Sequence, residues 1–233
     1  MTPTGTAPRP PTPRRRGAAL ACAAALLALG ALAPQADAAE RRLRGEAPFK
    51  VPPASTLAAL PASSPFGPDD VRAGTLAFEI AYDDATPDAD PDPYVGRYDG
   101  GLRAFRVRVG GTWVDLPLGS AELRVSDGGA GMAHRESLSM TAAVRYGAYE
   151  LRVGWVQVNQ AATDRDLRGA AGGIARDALP PVDGVLAFPT SGEWDRMFFV
   201  RLDPVGDLRS PVLYLNTSAL TVAPAARPDG RAP

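Results

Sequence analysis

Residues 105–114 read Phe105-Arg106-Val107-Arg108-Val109-Gly110-Gly111-Thr112-Trp113-Val114. Apolar side chains alternate with arginine as far as Val109, the period of a strand with one buried face. Gly110 and Gly111 can both take positive φ, and strand character resumes at Thr112, so the stretch is a β-hairpin closed by a two-residue turn. The same period recurs on either side. Leu76, Phe78, Ile80 and Tyr82 alternate with Ala77, Glu79 and Ala81. Leu123 and Val125 mark a short strand before Asp127-Gly128-Gly129, and Leu138, Met140, Ala142 and Val144 a longer one broken by Tyr146-Gly147. Tyr149, Leu151, Val153 and Trp155 continue the theme with Glu150 and Arg152 facing out; the apolar phase then slips onto Val156 and Val158, which predicts a bulge near Gly154. Residues 159–183 are a long Gly, Ala and Asp connection without a period, after which strand character returns at 185–188, 196–202, 211–215 and 220–223. Roughly eight to ten short strands, with turn chemistry between them and no strong helix, predict an all-β fold, an antiparallel β-sandwich or jelly roll in one domain over residues 74–224.

The flanks have a different composition. Residues 1–38 read as a signal peptide: Arg14, Arg15 and Arg16 form a positive start, residues 17–33 are an uncharged Ala- and Leu-rich run, and Ala36-Asp37-Ala38 supplies a small-x-small cleavage pattern. That run is at the short edge of a spanning helix and only weakly hydrophobic, so it reads as a cleaved segment rather than an anchor. A lipoprotein would need Cys22 acylated, and the five residues before it are too short an apolar run. Residues 39–73, rich in Pro, Ala and Ser, read as a flexible leader with one helical turn near residues 56–60. Residues 225–233 read as a disordered tail.

Composition excludes several functions. The chain has 233 residues, one cysteine, one histidine and a net charge of -1. A single Cys and a single His exclude a Cys-based metal cage and a multi-histidine site. Cleavage after Ala38 leaves 21 basic and 25 acidic side chains, a net charge of -4 that argues against a nucleic-acid partner. No later apolar stretch approaches membrane length, so the mature chain is expected to be soluble, secreted or periplasmic, with no membrane partner.

A family resemblance enters at this point. Gly74-Thr75-Leu76-Ala77-Phe78, Tyr82-Asp83, Thr86-Pro87-Asp88, Asp90, Gly96-Arg97-Tyr98, Gly101-Leu102, Ala104-Phe105 and the run from Val107 to Gly111 resemble the opening of exported PEP-CTERM-type proteins. The resemblance implies an exported β domain associated with envelope or matrix material, and it carries no catalytic residues. The family's sorting tail, a Pro-Glu-Pro motif with an apolar helix and terminal arginines, has no counterpart: Val222-Ala223-Pro224-Ala225 stands where it would begin, so the sorting and anchoring that it would imply do not carry over.

Four constellations bear on chemistry. Asp88-x-Asp90-x-Asp92, with Asp99 at the twelfth place, echoes a calcium-binding loop, because calcium takes six to eight oxygen ligands. Pro93 stands where such a loop needs glycine, Pro91 and Pro93 stiffen the backbone, and Asp99 is shorter than the usual bidentate Glu. The competing reading is a solvated loop of Asx turns. Arg103, Arg106, Arg108, Arg124, Arg145, Arg152 and Arg201 fall on outward strand positions, which describes either a cationic face for an acidic polysaccharide or a soluble surface that blunts edge pairing. Of the tryptophans, Trp155 is on a core phase, Trp113 is ambiguous, and Trp194, after Ser191-Gly192-Glu193, is the candidate sugar-stacking residue. Catalytic templates fail: His134 has no Gly-x-Ser-x-Gly elbow, Gly169-Ala170-Ala171-Gly172-Gly173 lacks dinucleotide spacing, and Glu79, Glu122, Glu136, Glu150 and Glu193 offer carboxylates without a readable pairing.

The expectation is therefore an exported, non-enzymatic β-sandwich that binds or structures extracellular carbohydrate or matrix, with no resident cofactor unless calcium occupies the Asp88 loop. The alternative is a carbohydrate-active enzyme on a jelly-roll scaffold with an unrecognised carboxylate pair.

Overall fold

A computed structural model describes residues 40–127, 136–159, 179–186, 196–218 and 220–226. The hairpin at residues 105–114 is present as β4 (Leu102–Val109) and β5 (Thr112–Asp115), with Val107 opposite Val114 and Arg108 opposite Trp113. Gly110 takes a φ of +55° in the turn. β4 pairs on its other side with β2 (Thr75–Asp83), β2 with β1 (Glu40–Pro48), and β1 with β11 (Thr221–Pro224), giving a five-stranded antiparallel sheet in the order β11-β1-β2-β4-β5. The second sheet is chiefly a meander. β6 (Glu122–Asp127), β7 (Glu136–Tyr146), β8 (Tyr149–Asn159), β9 (Arg196–Pro204) and β10 (Leu213–Thr217) lie side by side in chain order, and the short β3 (Val95–Arg97) closes the β6 edge. Two antiparallel sheets with separate edges make an all-β sandwich rather than a closed barrel.

The core lies between the sheets and follows the alternation. Leu76, Phe78, Ile80 and Tyr82 of β2 face Met140, Trp155, Phe198 and their neighbours, all at most 2 % exposed. Phe78 is at the centre, with its ring centroid 5.5 Å from Trp155 and 4.8 Å from Phe198. Each such pair adds about 0.5–1.5 kcal/mol beyond area burial.

Three expectations are corrected. The leader assigned to residues 39–73 is structured from Glu40 onward. Leu43, Gly45 and Ala47 are buried in β1 while Arg44 and Glu46 are exposed, and β1 is interior to its sheet, so the domain begins before Gly74. The rest of that segment forms helix α1 (Ala54–Ala58), two residues ahead of the expected turn, and α2 (Pro68–Arg72), which seal Leu57, Phe66 and Val71 against the core. Asp70 anchors this cap, accepting from the Gly67 backbone N–H at 2.9 Å and from Thr112 Oγ1 at 2.8 Å.

Second, β8 has no bulge at Gly154; its registers with β7 and β9 run unbroken. Leu151, Val153, Trp155 and Gln157 stay on the core face throughout, so the apolar phase does not slip. Gly154 is opposite Phe199, and a Cβ there would lie 2.4 Å from that ring. The glycine makes room for an aromatic side chain across the ladder. The register shift falls instead between Ala81 and Tyr82 of β2.

Third, Val185 and Leu186, expected to open a strand over residues 185–188, instead end the short helix α3 (Val182–Leu186), which inserts Val185 into the core. It is tied down by two long-range bonds: the Tyr82 hydroxyl donates to the Pro180 carbonyl at 2.9 Å, and Gln157 Nε2 to the Val185 carbonyl at 3.1 Å. Among the described residues no helix is long and apolar enough to cross a membrane. The expected signal peptide, residues 1–38, lies outside the described residues, as does all of the expected tail but Ala225 and Ala226.

Candidate functional site

Strand alternation gives the five-stranded sheet a second face, turned away from the core, and the register assembles it into rows running across the strands. One row reads Thr221, Glu46, Ala77, Arg108, Trp113 from β11 to β5. The next reads Ala223, Arg44, Glu79, Arg106, Asp115. A third brings Arg42, Ala81 and Ala104 together. Because Ala77, Ala81 and Ala104 carry only a methyl group beside long charged neighbours, the face is recessed on either side of Glu79. Two open grooves result. One of about 480 Å³ runs past Glu46, Ala77, Arg108 and Trp113, the other of about 490 Å³ past Arg42, Ala81, Ala104 and Asp115, and Glu79 borders both.

The polar groups of this face are held in place. Arg106 donates to Glu79 Oε2 through both Nη2 at 2.6 Å and Nε at 3.0 Å, and Arg108 Nη2 lies 3.2 Å from Glu46 Oε1. Both guanidinium groups also rest over the Trp113 ring, 4.5 and 5.5 Å from its centroid. Glu79, Arg106, Trp113, Arg108 and Glu46 are thus linked in one chain of contacts over four strands. Trp113 remains 39 % exposed, an aromatic surface fixed in orientation by two cations.

Of the two readings of the outward arginines, this arrangement does not support one cationic face. Arg103, Arg106 and Arg108 are on the five-stranded sheet, whereas Arg124, Arg152 and Arg201 are on the other sheet. Each of the six has a carboxylate partner: Asp83, Glu79, Glu46, Glu122, Glu150 and Asp203 respectively. The neutralising carboxylates sit two residues along the same strand, on the neighbouring strand or, for Glu46, one strand further, so neither sheet displays an unbalanced run of positive charge. Arg145, the seventh, is opposite Glu150 in the β7–β8 register.

The acidic loop is built by its own side chains. Asp88 Oδ1 accepts from the backbone N–H of Asp90 and of Arg97, both at 2.8 Å; Asp90 Oδ1 accepts from Asp92 N at 3.1 Å, and Asp92 Oδ1 from Tyr94 N at 3.0 Å. Asp99 pairs instead with Arg97 at 3.2 Å. Successive Asx turns therefore engage one carboxylate oxygen of each of Asp88, Asp90 and Asp92, and among the described residues no three acidic, His or Cys side chains converge as a metal-ligand group. At the rim, the Arg103 hydrogen bond and the Ala85 N–H hold the Asp83 carboxyl below the usual carboxylate range.

The remaining candidates are scattered. Glu79 is in the grooves, Glu122 and Glu150 are on the other sheet's outer face, and Glu136 is buried. Trp155 is fully buried, as its phase required. Trp194, His134, Glu193 and the Gly169–Gly173 loop lie outside the described residues. What the sequence reading missed is Arg42, Arg44 and Glu46, whose alternation with Leu43, Gly45 and Ala47 contains only one large apolar residue. No protein-family model, curated protein or solved structure significantly matches this chain.

Proposed function

We propose that this protein is an exported, non-enzymatic β-sandwich that binds an extended polysaccharide of the envelope or extracellular matrix across the outer face of its five-stranded sheet. The observation that carries this reading is the pair of open grooves sharing Glu79, with the oriented Trp113 ring at one end. An extended polymer matches a shallow site that crosses several strands, whereas a small molecule is ordinarily enclosed by a deeper apolar pocket. Glu46, Glu79, Arg106 and Arg108 are donors and acceptors already fixed by mutual pairing, which limits the side-chain entropy lost when hydroxyl groups dock against them. A balanced set of charges also suits a hydroxyl-rich ligand better than a polyanion. Export follows from the signal-peptide pattern and agrees with the resemblance to PEP-CTERM-type proteins. Cleavage after Ala38 leaves only Ala39 ahead of β1, so processing spares the entire sandwich.

A polysaccharide array run with a parallel reducing-sugar assay tests the proposal. Binding without release of reducing ends is the expected result. Turnover would favour the carbohydrate-active enzyme instead, and absence of binding across neutral and acidic glycans would remove the groove as a glycan site.

A further inference from the structure

The four sheet edges are not equally protected. β11 ends in Pro224, β5 carries Asp115 and β3 carries Arg97, three of the usual devices that discourage pairing with another chain. β10 is different: Leu213-Tyr214-Leu215-Asn216-Thr217 has no charge and no proline, and among the described residues no strand pairs with its outer side. A second observation falls on the same place. Of the six large apolar side chains most exposed among the described residues, Val205, Leu208 and Tyr214 belong to β10 or to the turn that leads into it. Arg201 stands beside two of them. It is opposite Tyr214 in the β9–β10 register, bonds Asp203 through Nε at 2.7 and 2.8 Å, and donates through Nη2 to the Leu208 carbonyl.

We infer that β10 is the seat of a two-fold interface with a second copy of this chain, the two β10 strands pairing antiparallel to join the six-stranded sheets. Two-fold pairing sets identical edges against each other, so a charged edge repels itself while an uncharged one does not. β5 and β3 fail that condition, and of the two uncharged edges β10 alone has no proline. With Leu215 opposite its own copy, Tyr214 of one protomer faces Asn216 of the other on the outer surface, and Leu213 faces Thr217 on the core side. Val205 and Leu208 widen the contact beyond five residues of ladder.

Sedimentation equilibrium of the full chain, followed to about 0.5 mM, is the first test, with Tyr214→Lys as the variant and circular dichroism to verify its fold. A dimer whose dissociation constant rises about tenfold or more in Tyr214→Lys is expected. A monomer at every concentration overturns the inference, and is the result expected if another segment of the same chain covers β10. A dimer that Tyr214→Lys leaves unchanged also overturns it. Should Tyr214→Lys fail to fold, a Cys22→Ala, Tyr214→Cys, Asn216→Cys chain decides. Residues 214 and 216 of one strand are about 6.8 Å apart, beyond the Cβ spacing of a disulfide, whereas partners directly opposite across the ladder are within it. Oxidation to a covalent dimer supports the inference, and a product that stays monomeric overturns it.

Discussion

Replacing Gly45 by alanine is the sharpest test of β1. A Cβ at this position would lie 2.4 Å from Phe78 Cε1 and 2.7 Å from Cζ. The ring cannot swing away, because Trp155 and Phe198 pack against it at 5.5 and 4.8 Å, and all three side chains are fully buried. Overpacking of this kind costs about 1–3 kcal/mol, and disturbing the two aromatic contacts adds about 0.5–1.5 kcal/mol each. Alanine also reduces the freedom of the unfolded chain, which returns about 0.4–1 kcal/mol. The net expectation is a loss of about 2–4 kcal/mol, a fall in Tm of roughly 5–15 °C for a domain of this size. Urea unfolding of wild type, Gly45→Ala, Phe78→Leu and the double variant measures it, with the smaller leucine side chain relieving part of the clash. A coupling of about 1 kcal/mol or more between the two sites is expected. A Gly45→Ala protein as stable as wild type, within about 0.5 kcal/mol, would refute the placement of β1 against the core, since that is the result for a solvated leader.

Other perturbations follow from the same geometry. Gly110→Ala must adopt a left-handed backbone and bring its Cβ 2.5 Å from the Asp70 carbonyl oxygen, so a loss of about 2–4 kcal/mol in denaturant unfolding is expected. Burial chiefly, with the Asp84 carboxylate adding and Arg41 opposing, pushes the Tyr82 phenol well above its ordinary value. Because the folded pKa is the raised one, its contribution is complete below about pH 10 and is lost as pH rises beyond it, so Tm should fall on the alkaline side less steeply in Tyr82→Phe than in wild type. Asp88→Ala removes an oxygen that holds two backbone N–H groups and should cost about 1–3 kcal/mol, whereas Asp88→Asn keeps that oxygen and should cost less. With one oxygen of each of Asp88, Asp90 and Asp92 engaged in an Asx turn, Tm in calcium and in chelator should agree; a rise in calcium that Asp88→Asn abolishes would support the metal reading.

Much of the fold can be read from the chain because strand period is local. Phe105, Val107 and Val109 alternate with arginine whatever strand lies beside them, and Gly110-Gly111 announces its own turn. β1 escaped because its buried positions are Leu43, Gly45 and Ala47, two of them too small to register as apolar until Phe78 is known to fill the space above them. Gly154 misled for the same reason: a glycine opposite a ring and a glycine at a bulge look alike until Phe199 is placed across the ladder. α3 holds only Val182, Val185 and Leu186 as apolar residues, too short a run to separate a helical turn from a strand. The candidate site was half legible. Outward phase identified Arg106 and Arg108, but their charge balance depends on Glu79 and Glu46, which reach them by pairing between segments distant in sequence. No local pattern reports which carboxylate a cross-strand arginine will meet.

The central claim, a polysaccharide site on the outer face of the five-stranded sheet, is tested most directly by titrating the best-bound glycan from the array into wild type and Trp113→Ala by calorimetry. Trp113 is exposed and at a sheet edge, so its removal should leave the fold intact while weakening binding by about tenfold or more, the loss expected when an aromatic anchor is truncated. Equal affinity in the two proteins, with both folded, would contradict the account.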